Sequence, residues 1–342
     1  MPPALPNRNR QIHLAARPSG LPRESDFALV EAPMPDPGPD EVLVRGIYLS
    51  LDPYMRGRMN DRKSYVPPFK LGETMGAGAV GEVVRSNSPA FLPGDIVEGL
   101  MGWQDYAAMK AKGLRKVDPK LAPISTAVGV LGMPGLTAYF GLLDVARPKP
   151  GETVVVSGAA GAVGSIVGQI AKIHGNRVVG IAGGADKVRH CVEDFGYDAC
   201  IDYKAEPDIR AALERTCPNG IDAYFDNVGG TITDAVILTI NDFGRIALCG
   251  QISQYNLEKP EMAPRLFVPI LLKQVRMQGF LVFAYADRYQ EGAAKLSEWL
   301  KAGKIKYRET IIDGIENAPK AFIGMLKGAN TGKQLVRLAA EN

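Results

Sequence analysis

Two rhythms divide the chain. From residue 11 to about 116, apolar and polar positions alternate in short runs at 27–30, 41–49, 77–85 and 96–99, each closed by turn residues. Pro33, Pro35, Pro37, Gly38 and Pro39 are the densest punctuation. Period-two alternation between Gly/Pro turns predicts a β-barrel or sandwich-like domain with one short helix at 53–59. After about residue 125, strand-like and helix-like runs take turns, which predicts parallel strands joined by crossover helices. Strands are expected at 153–156, 177–181, 199–202, 223–226, 245–249 and 277–282, with helices at 185–194 and 208–216 among the connections. Six strands joined in this way make a doubly wound α/β sheet. A helix at 286–300 ends at Gly303. Beyond it a strand, a helix at 318–326 and a last strand at 334–338 either extend this sheet or return to the first domain, and the pattern does not choose.

The run Thr153-Val154-Val155-Val156-Ser157-Gly158-Ala159-Ala160-Gly161-Ala162-Val163-Gly164-Ser165 takes a β-branched strand through small residues into a helix. In that context backbone N–H groups and the positive end of the helix can hold a pyrophosphate. Aligned to G-x-G-x-x-G, Ala159 stands at the first glycine, Gly161 allows close backbone approach and Gly164 lets the helix pack on the strand. Val163, Ile166, Val167, Ile170 and Ile173 then share one helix face, as in a helix that covers a sheet. The alternative is an ordinary glycine turn, against which strand, spacing and helix argue together. An acidic residue about 20 positions past the glycines would select NAD. Here the next strand runs into Ala182-Gly183-Gly184, and Lys187, with Asp186 beside it, opens the following helix. An ammonium there can pair with a 2′-phosphate, so NADP(H) is the expected cofactor.

With 342 residues, two domains are expected, and 46% hydrophobic with 23% charged residues is a globular composition. Forty basic against thirty-seven acidic residues, a net charge of +3, speak against a nucleic-acid or membrane footprint and for a small-molecule substrate. Residues 1–20, interrupted by Pro2, Pro3, Pro6 and Pro18 and carrying Arg8, Arg10 and Arg17, hold no signal-peptide run, and no membrane span is expected. Cys191, Cys200, Cys217 and Cys249 lack paired spacing, which suits neither a disulfide framework nor a zinc cluster and fits a reducing cytoplasm. Residues 1–124 contain no cysteine and a single histidine, His13, while His174 and His190 fall in predicted helices as surface residues. A zinc alcohol dehydrogenase would need Cys and His ligands around an open metal position, so no metal is expected. Nor is there a G-x-S-x-G elbow. The protonatable groups near a cofactor are then tyrosines, lysines or the cofactor itself, as in chemistry led by hydride transfer.

Five segments carry a family resemblance: Leu51-Asp52-Pro53-Tyr54-Met55-Arg56-Gly57-Arg58-Met59, residues 162–172, Tyr224-Phe225-Asp226-Asn227-Val228-Gly229-Gly230, Cys249-Gly250-Gln251-Ile252-Ser253-Gln254-Tyr255-Asn256 and Gly328-Ala329-Asn330-Thr331-Gly332-Lys333. Over nearly its full length the chain resembles the zinc-independent, NADPH-dependent alkenal/one oxidoreductases of the medium-chain dehydrogenase/reductase superfamily. The resemblance implies a GroES-like β-barrel-type catalytic domain at 1–127, a Rossmann NADP-binding domain at 128–302, a segment 303–342 that returns to the catalytic domain, and a cleft between the domains. Beyond Gly161 of the glycine turn, it implies cofactor contacts from Ala162, Val163, Gly164, Ser165, Lys187, Tyr203, Asn227, Cys249, Gly250, Ile252, Ser253, Tyr255, Phe280, Leu281, Val282 and Asn330.

Each of these has a plainer reading beside it. Asn227, at the carboxyl edge of the fourth strand, could bond a ribose or form a turn. Tyr203 could cover the adenine end or cap the core. Cys249 reads as a small buried residue rather than a reactive thiol. The run 280–282 could pass the nicotinamide or be a plain apolar strand. The implied reaction is reduction of a carbon–carbon double bond conjugated to a carbonyl: NADPH gives hydride to the β-carbon, Tyr255 and a cofactor ribose hydroxyl stabilise the enolate oxygen, and protonation at the α-carbon follows. Tyr54 and Met55 would line the substrate side, or pack on the barrel. A quinone reductase and a non-catalytic NADPH-binding protein are the alternatives. A homodimer through 277–283 is expected, with no nucleic-acid or membrane partner.

Overall fold

Alternation begins earlier than the N-terminal prolines suggest. Ile12 and Leu14 are wholly buried, and β1 (Arg8–Leu14), not foreseen in the sequence, pairs antiparallel with β2 (Phe27–Pro33) along its whole length. The structure, a computed structural model, describes residues 5–341; Pro2 and Pro3 of the N-terminal reading lie outside them. After β3 (Glu41–Ser50), Pro53 caps the short α1 (Tyr54–Arg58) with its ring-fixed φ of −58°. There follow β4 (Ala79–Ser86), β5 (Ile96–Gly99), β6 (Tyr106–Lys110) and β7 (Leu114–Lys116). The last two escape prediction because they are short and half-exposed, without a clear apolar face.

The strand and helix alternation then appears as α2 (Met133–Phe140), β8 (Thr153–Ser157), α3 (Gly164–Ile173), β9 (Arg177–Ala182), α4 (Ala185–Arg189) and β10 (Ala199–Asp202). It continues with α5 (Ile209–Thr216), whose N-terminus is capped by the Asp208 carboxylate, β11 (Ile221–Asp226), α6 (Gly230–Thr239) and β12 (Ile240–Leu248). The chain closes with α7 (Phe267–Leu272), β13 (Arg276–Gly279), α8 (Tyr289–Lys301), β14 (Glu309–Asp313), α9 (Ala318–Leu326) and β15 (Lys333–Arg337). Two expected elements are cut short. The strand at 277–282 stops at Gly279 because its partner β12 runs out at Leu248, directly opposite. The helix at 185–194 is α-helical only to Arg189 and ends in a wider π turn over His190–Asp194.

The chain divides into two compact units. One holds the residues up to Gly129, Glu309–Asn330 and the chain from Gln334 on; the other holds Val130–Arg308 and Thr331–Lys333. In the first, a sheet runs β14-β15-β3-β4-β5-β7 with β6 also on β3, and Leu335 of β15 lies opposite Ser50. Its core centres on Trp103, stacked on Phe27 at 5.9 Å and met edge-on by Phe322 at 5.7 Å. In the second, the parallel sheet runs β10-β9-β8-β11-β12-β13, a doubly wound order whose direction reverses between β8 and β11. Val154, Val155 and Val156 of β8 are wholly buried, as a central parallel strand requires. The carboxyl ends of β8, β9, β11 and β12 gather the residues described next. Among the described residues, no helix is long and apolar enough to cross a membrane.

Candidate functional site

β8 ends at Ser157 and the chain reverses at once. Gly158 takes φ +61°, in the left-handed region that side chains disfavour. The tight turn therefore belongs to Gly158 and not to the aligned position of Ala159, which is wholly buried. A Cβ on Gly164 would lie 2.3 Å from the Gly158 oxygen, so only glycine lets α3 begin this close to the end of β8. On Gly161 a Cβ would meet that same oxygen at 3.1 Å and nothing else; the outer side of the turn is open. Among the described residues, no acceptor takes the N–H groups of Ala162, Val163 or Gly164, and the positive end of the ten-residue α3 lies at the same place. An open cradle with unspent N–H donors fits a pyrophosphate. Ser165 is buried, its N–H donating to the Gly161 carbonyl at 3.0 Å. Gly332, far along the chain, donates its N–H to the Ala160 carbonyl at 2.8 Å; no sequence signal marks that fastening.

A second corner forms where β9 and β10 end. One carboxylate oxygen, Asp202 Oδ1, accepts the N–H of Gly184 at 2.8 Å and that of Lys204 at 3.0 Å, tying the two loops together. The Tyr203 ring lies on Gly183, where a Cβ would come within 2.7 Å of it. With 43% of its surface exposed, Tyr203 covers an outer face and does not cap the core. The Lys187 N–H donates to the Gly184 carbonyl at 3.1 Å. Burial first, and the charge of Lys204 second, hold the Lys187 ammonium below the ordinary lysine range. Asp186 is turned away, paired with Arg189 at 2.9 Å. Lys204 was missed in the sequence, where a surface lysine carries no pattern; its one signal was adjacency to Tyr203.

The third corner joins β11 and β12. Asn227 donates its N–H to Ser157 Oγ at 2.9 Å and its Nδ2 to the Ser157 carbonyl at 2.8 Å, which binds it to the end of β8. Cys249 and Gly250 donate their N–H groups to the Asp226 carbonyl at 2.9 and 3.0 Å, and Ile252 donates to the Asn227 carbonyl at 3.3 Å. Ser253 Oγ donates to the Val228 carbonyl at 2.6 Å. The Tyr255 hydroxyl accepts the Gln251 N–H at 3.1 Å, an arrangement that leaves its own hydrogen to donate. It sits above Gly250, where a Cβ would be 3.4 Å from the hydroxyl oxygen, and burial raises its pKa. Burial, with Asp226 adding, pushes the thiol of the half-buried Cys249 up to about 12, which disfavours the thiolate. Phe280 packs edge-on against Phe225 at 6.0 Å, Leu281 is exposed and Val282 is buried at the start of a 3-10 turn.

Three of the named residues belong to the first unit. Asn330 follows α9. Tyr54 is half-buried in α1, and burial holds its hydroxyl above the ordinary tyrosine range. Met55 is wholly buried in the core with Met59 and Met75, because α1 turns that face inward. Of the expected substrate pair, only Tyr54 has surface to offer. His190 is half-buried and paired with Asp194 at 2.8 Å.

Residues 10–117 match the family model described as the N-terminal domain of oxidoreductase, and residues 162–299 the model described as zinc-binding dehydrogenase. The chain is 48% identical to the NADPH-dependent curcumin reductase of Escherichia coli over 98% of both chains. It is 44% identical to the NADP(+)-dependent 2-alkenal reductase of Nicotiana tabacum over 97% of this chain and 98% of that one. The chain belongs to the zinc-independent, NADPH-dependent alkenal/one oxidoreductases of the medium-chain dehydrogenase/reductase superfamily. A solved structure of CurA from Vibrio vulnificus in complex with NADPH is 49% identical to this oxidoreductase, with a TM-score of 0.93 over 97% of this chain and 100% of that one. Although the second family model is named for zinc, no group of three or more His, Cys, Asp or Glu among the described residues of this oxidoreductase could hold a metal ion.

Proposed function

We propose that this oxidoreductase uses NADPH to reduce the carbon–carbon double bond of α,β-unsaturated ketones and aldehydes. The observation that carries the reading is Tyr255, a half-buried hydroxyl that accepts from a backbone N–H and keeps its own hydrogen to give. When bound, the dihydronicotinamide supplies a hydride to the β-carbon. As charge develops on the substrate's carbonyl oxygen, Tyr255 donates to it, and a bond that strengthens toward the transition state lowers the barrier. Its raised pKa keeps the donor protonated throughout the neutral range.

The remaining residues hold the dinucleotide. Gly161, Ala162, Val163, Gly164 and Ser165 would take the pyrophosphate, Lys187 with Lys204 the 2′-phosphate, and Tyr203 the adenine face. Asn227, the loop 249–255, residues 280–282 and Asn330 would take the nicotinamide half, and Tyr54 the substrate. Support comes from the open glycine cradle, from the two ammonium groups and from the curcumin and alkenal reductases that are relatives at well over 40% identity. A cytoplasmic setting belongs to this reading, since all four cysteines are free thiols. So does a homodimer: β13 is an edge strand, flanked by the exposed Phe267, Leu271, Leu272 and Phe283. Light scattering at twice the 36.8 kDa chain mass would bear that out, and at the single mass would not.

The deciding experiment mixes the enzyme and NADPH with a short 2-alkenal, a long-chain enone, a phenolic enone and a quinone, and identifies the products by mass and by NMR. A saturated carbonyl is expected from the enones. Oxidation of NADPH with the quinone alone, or an allylic alcohol with its double bond intact, would overturn the reading.

A further inference from the structure

Asp226, the last residue of β11, is wholly buried. Its Oδ1 accepts from Ser157 Oγ at 3.0 Å, the Tyr224 hydroxyl at 2.9 Å, and the N–H groups of Val228 and Gly229, both at 2.9 Å. Its Oδ2 accepts from Thr233 Oγ1 at 2.7 Å and Gln251 Nε2 at 2.8 Å. A carboxylate only accepts, and here six groups donate to it. An amide of the same shape would have to turn its NH2 group toward one set or the other; the hydroxyls can rotate to accept it, but Gln251 Nε2 on one side or the two backbone N–H groups on the other would be left facing another donor.

Two of the six lead outward. Ser157 Oγ, while donating to Asp226, accepts the N–H of Asn227 at 2.9 Å. Gln251 holds Asp226 with its side chain while its backbone N–H donates to the Tyr255 hydroxyl at 3.1 Å. The Gln251 amide also fills the space above Gly229, where a Cβ would come within 2.1 Å of its oxygen, so any side chain at 229 would push it aside. We propose that Asp226 is a positioning residue: its buried carboxylate fixes Asn227, through Ser157, and Tyr255, through Gln251, in one rigid relation before any ligand arrives. The proposal rests on the enone-reductase reading above, in which those two residues meet the reacting end of the complex.

Asp226→Asn tests it, and Gln251→Leu, which removes a single donor and leaves the carboxylate its other five, serves if the first variant does not fold. Steady-state kinetics with NADPH and a short 2-alkenal are compared with NADPH affinity from a fluorescence titration. A displacement of the hydroxyl without loss of the glycine turn or Lys187 is expected to lower kcat by about tenfold or more while the NADPH Kd moves by less than about threefold. A purely structural role would lower thermal stability and leave kcat of the folded enzyme in place. Folded variants whose kcat stays within about twofold of wild type, or falls only in step with NADPH affinity, overturn the proposal. A wild-type enzyme that turns over no enone brings down the reading and the proposal together, whereas unchanged variants of an active enzyme bring down the proposal alone.

Discussion

Two corners of one sheet are built on opposite terms. At the ends of β9 and β10, Tyr203 is an exposed ring on a glycine, and Lys187 feels the like charge of Lys204. At the ends of β11 and β12, a wholly buried carboxylate is saturated by donors and a loop is laced to its neighbour by backbone hydrogen bonds. The outer corner sets two ammonium groups near each other, which would favour an anion beside them; the inner corner is complete without one. Affinity and cofactor choice would then reside in the outer corner, and the fixed geometry that catalysis needs in the inner one, where donors must be aimed before charge develops. Changes on the two sides should separate binding from turnover.

The sharpest break should come from Tyr255→Phe. Loss of one aimed donor to a developing oxyanion costs about 10²- to 10³-fold in kcat, and the NADPH Kd should hardly move because the outer corner and the glycine turn are untouched. Steady-state kinetics beside a binding titration measure both. A variant that keeps more than half of the wild-type kcat would mean that another donor holds the oxygen, and the inner corner would lose its assigned role.

How far each corner could be read in the sequence follows from the same contrast. The strand, turn and helix from Thr153 onward were legible because β-branched residues, glycines and a 3.6-residue apolar repeat all lie within one short stretch. Even there the left-handed residue was Gly158, one place before the aligned position, since spacing does not report φ. The Asp226 cluster was illegible. Its donors come from Ser157, Tyr224, Val228, Gly229, Thr233 and Gln251, and only folding brings β8, β11, α6 and the loop after β12 together. The sequence leaves Met55 between lining and packing because a motif carries no inside or outside, and α1 buries it. The sequence lengthens strand β13 because a partner's end cannot be seen from one strand's composition.

Cofactor choice should move with the outer corner. If Lys187 pairs with the 2′-phosphate as proposed, Lys187→Ala should raise the NADPH KM by about ten- to a hundredfold, and Lys204→Ala by less, about three- to tenfold. NADH kinetics should change little in either variant, and both effects should shrink as salt is raised. Equal losses with NADPH and NADH would mean that the lysines support the fold and not the phosphate.

The smallest effect is the most specific to this arrangement. Because burial and Lys204 depress the Lys187 pKa, and a bound 2′-phosphate would raise it, NADPH binding takes up a proton in the interval between the free and bound values. Above the second ionisation of the 2′-phosphate, at about pH 6, affinity for NADPH should therefore be flat up to the free pKa, bend there, and fall as pH rises through the interval, with the bend below the ordinary lysine range. NADH, without the phosphate, should show no such bend. In Lys204→Ala the repelling neighbour is gone, so the free Lys187 pKa rises and the bend should move to higher pH even though overall affinity is lower. Titrations of NADPH binding across the alkaline range in wild type and variant measure the displacement. A bend that stays in place would mean that Lys204 does not act on Lys187, and the outer corner would then rest on one ammonium instead of two.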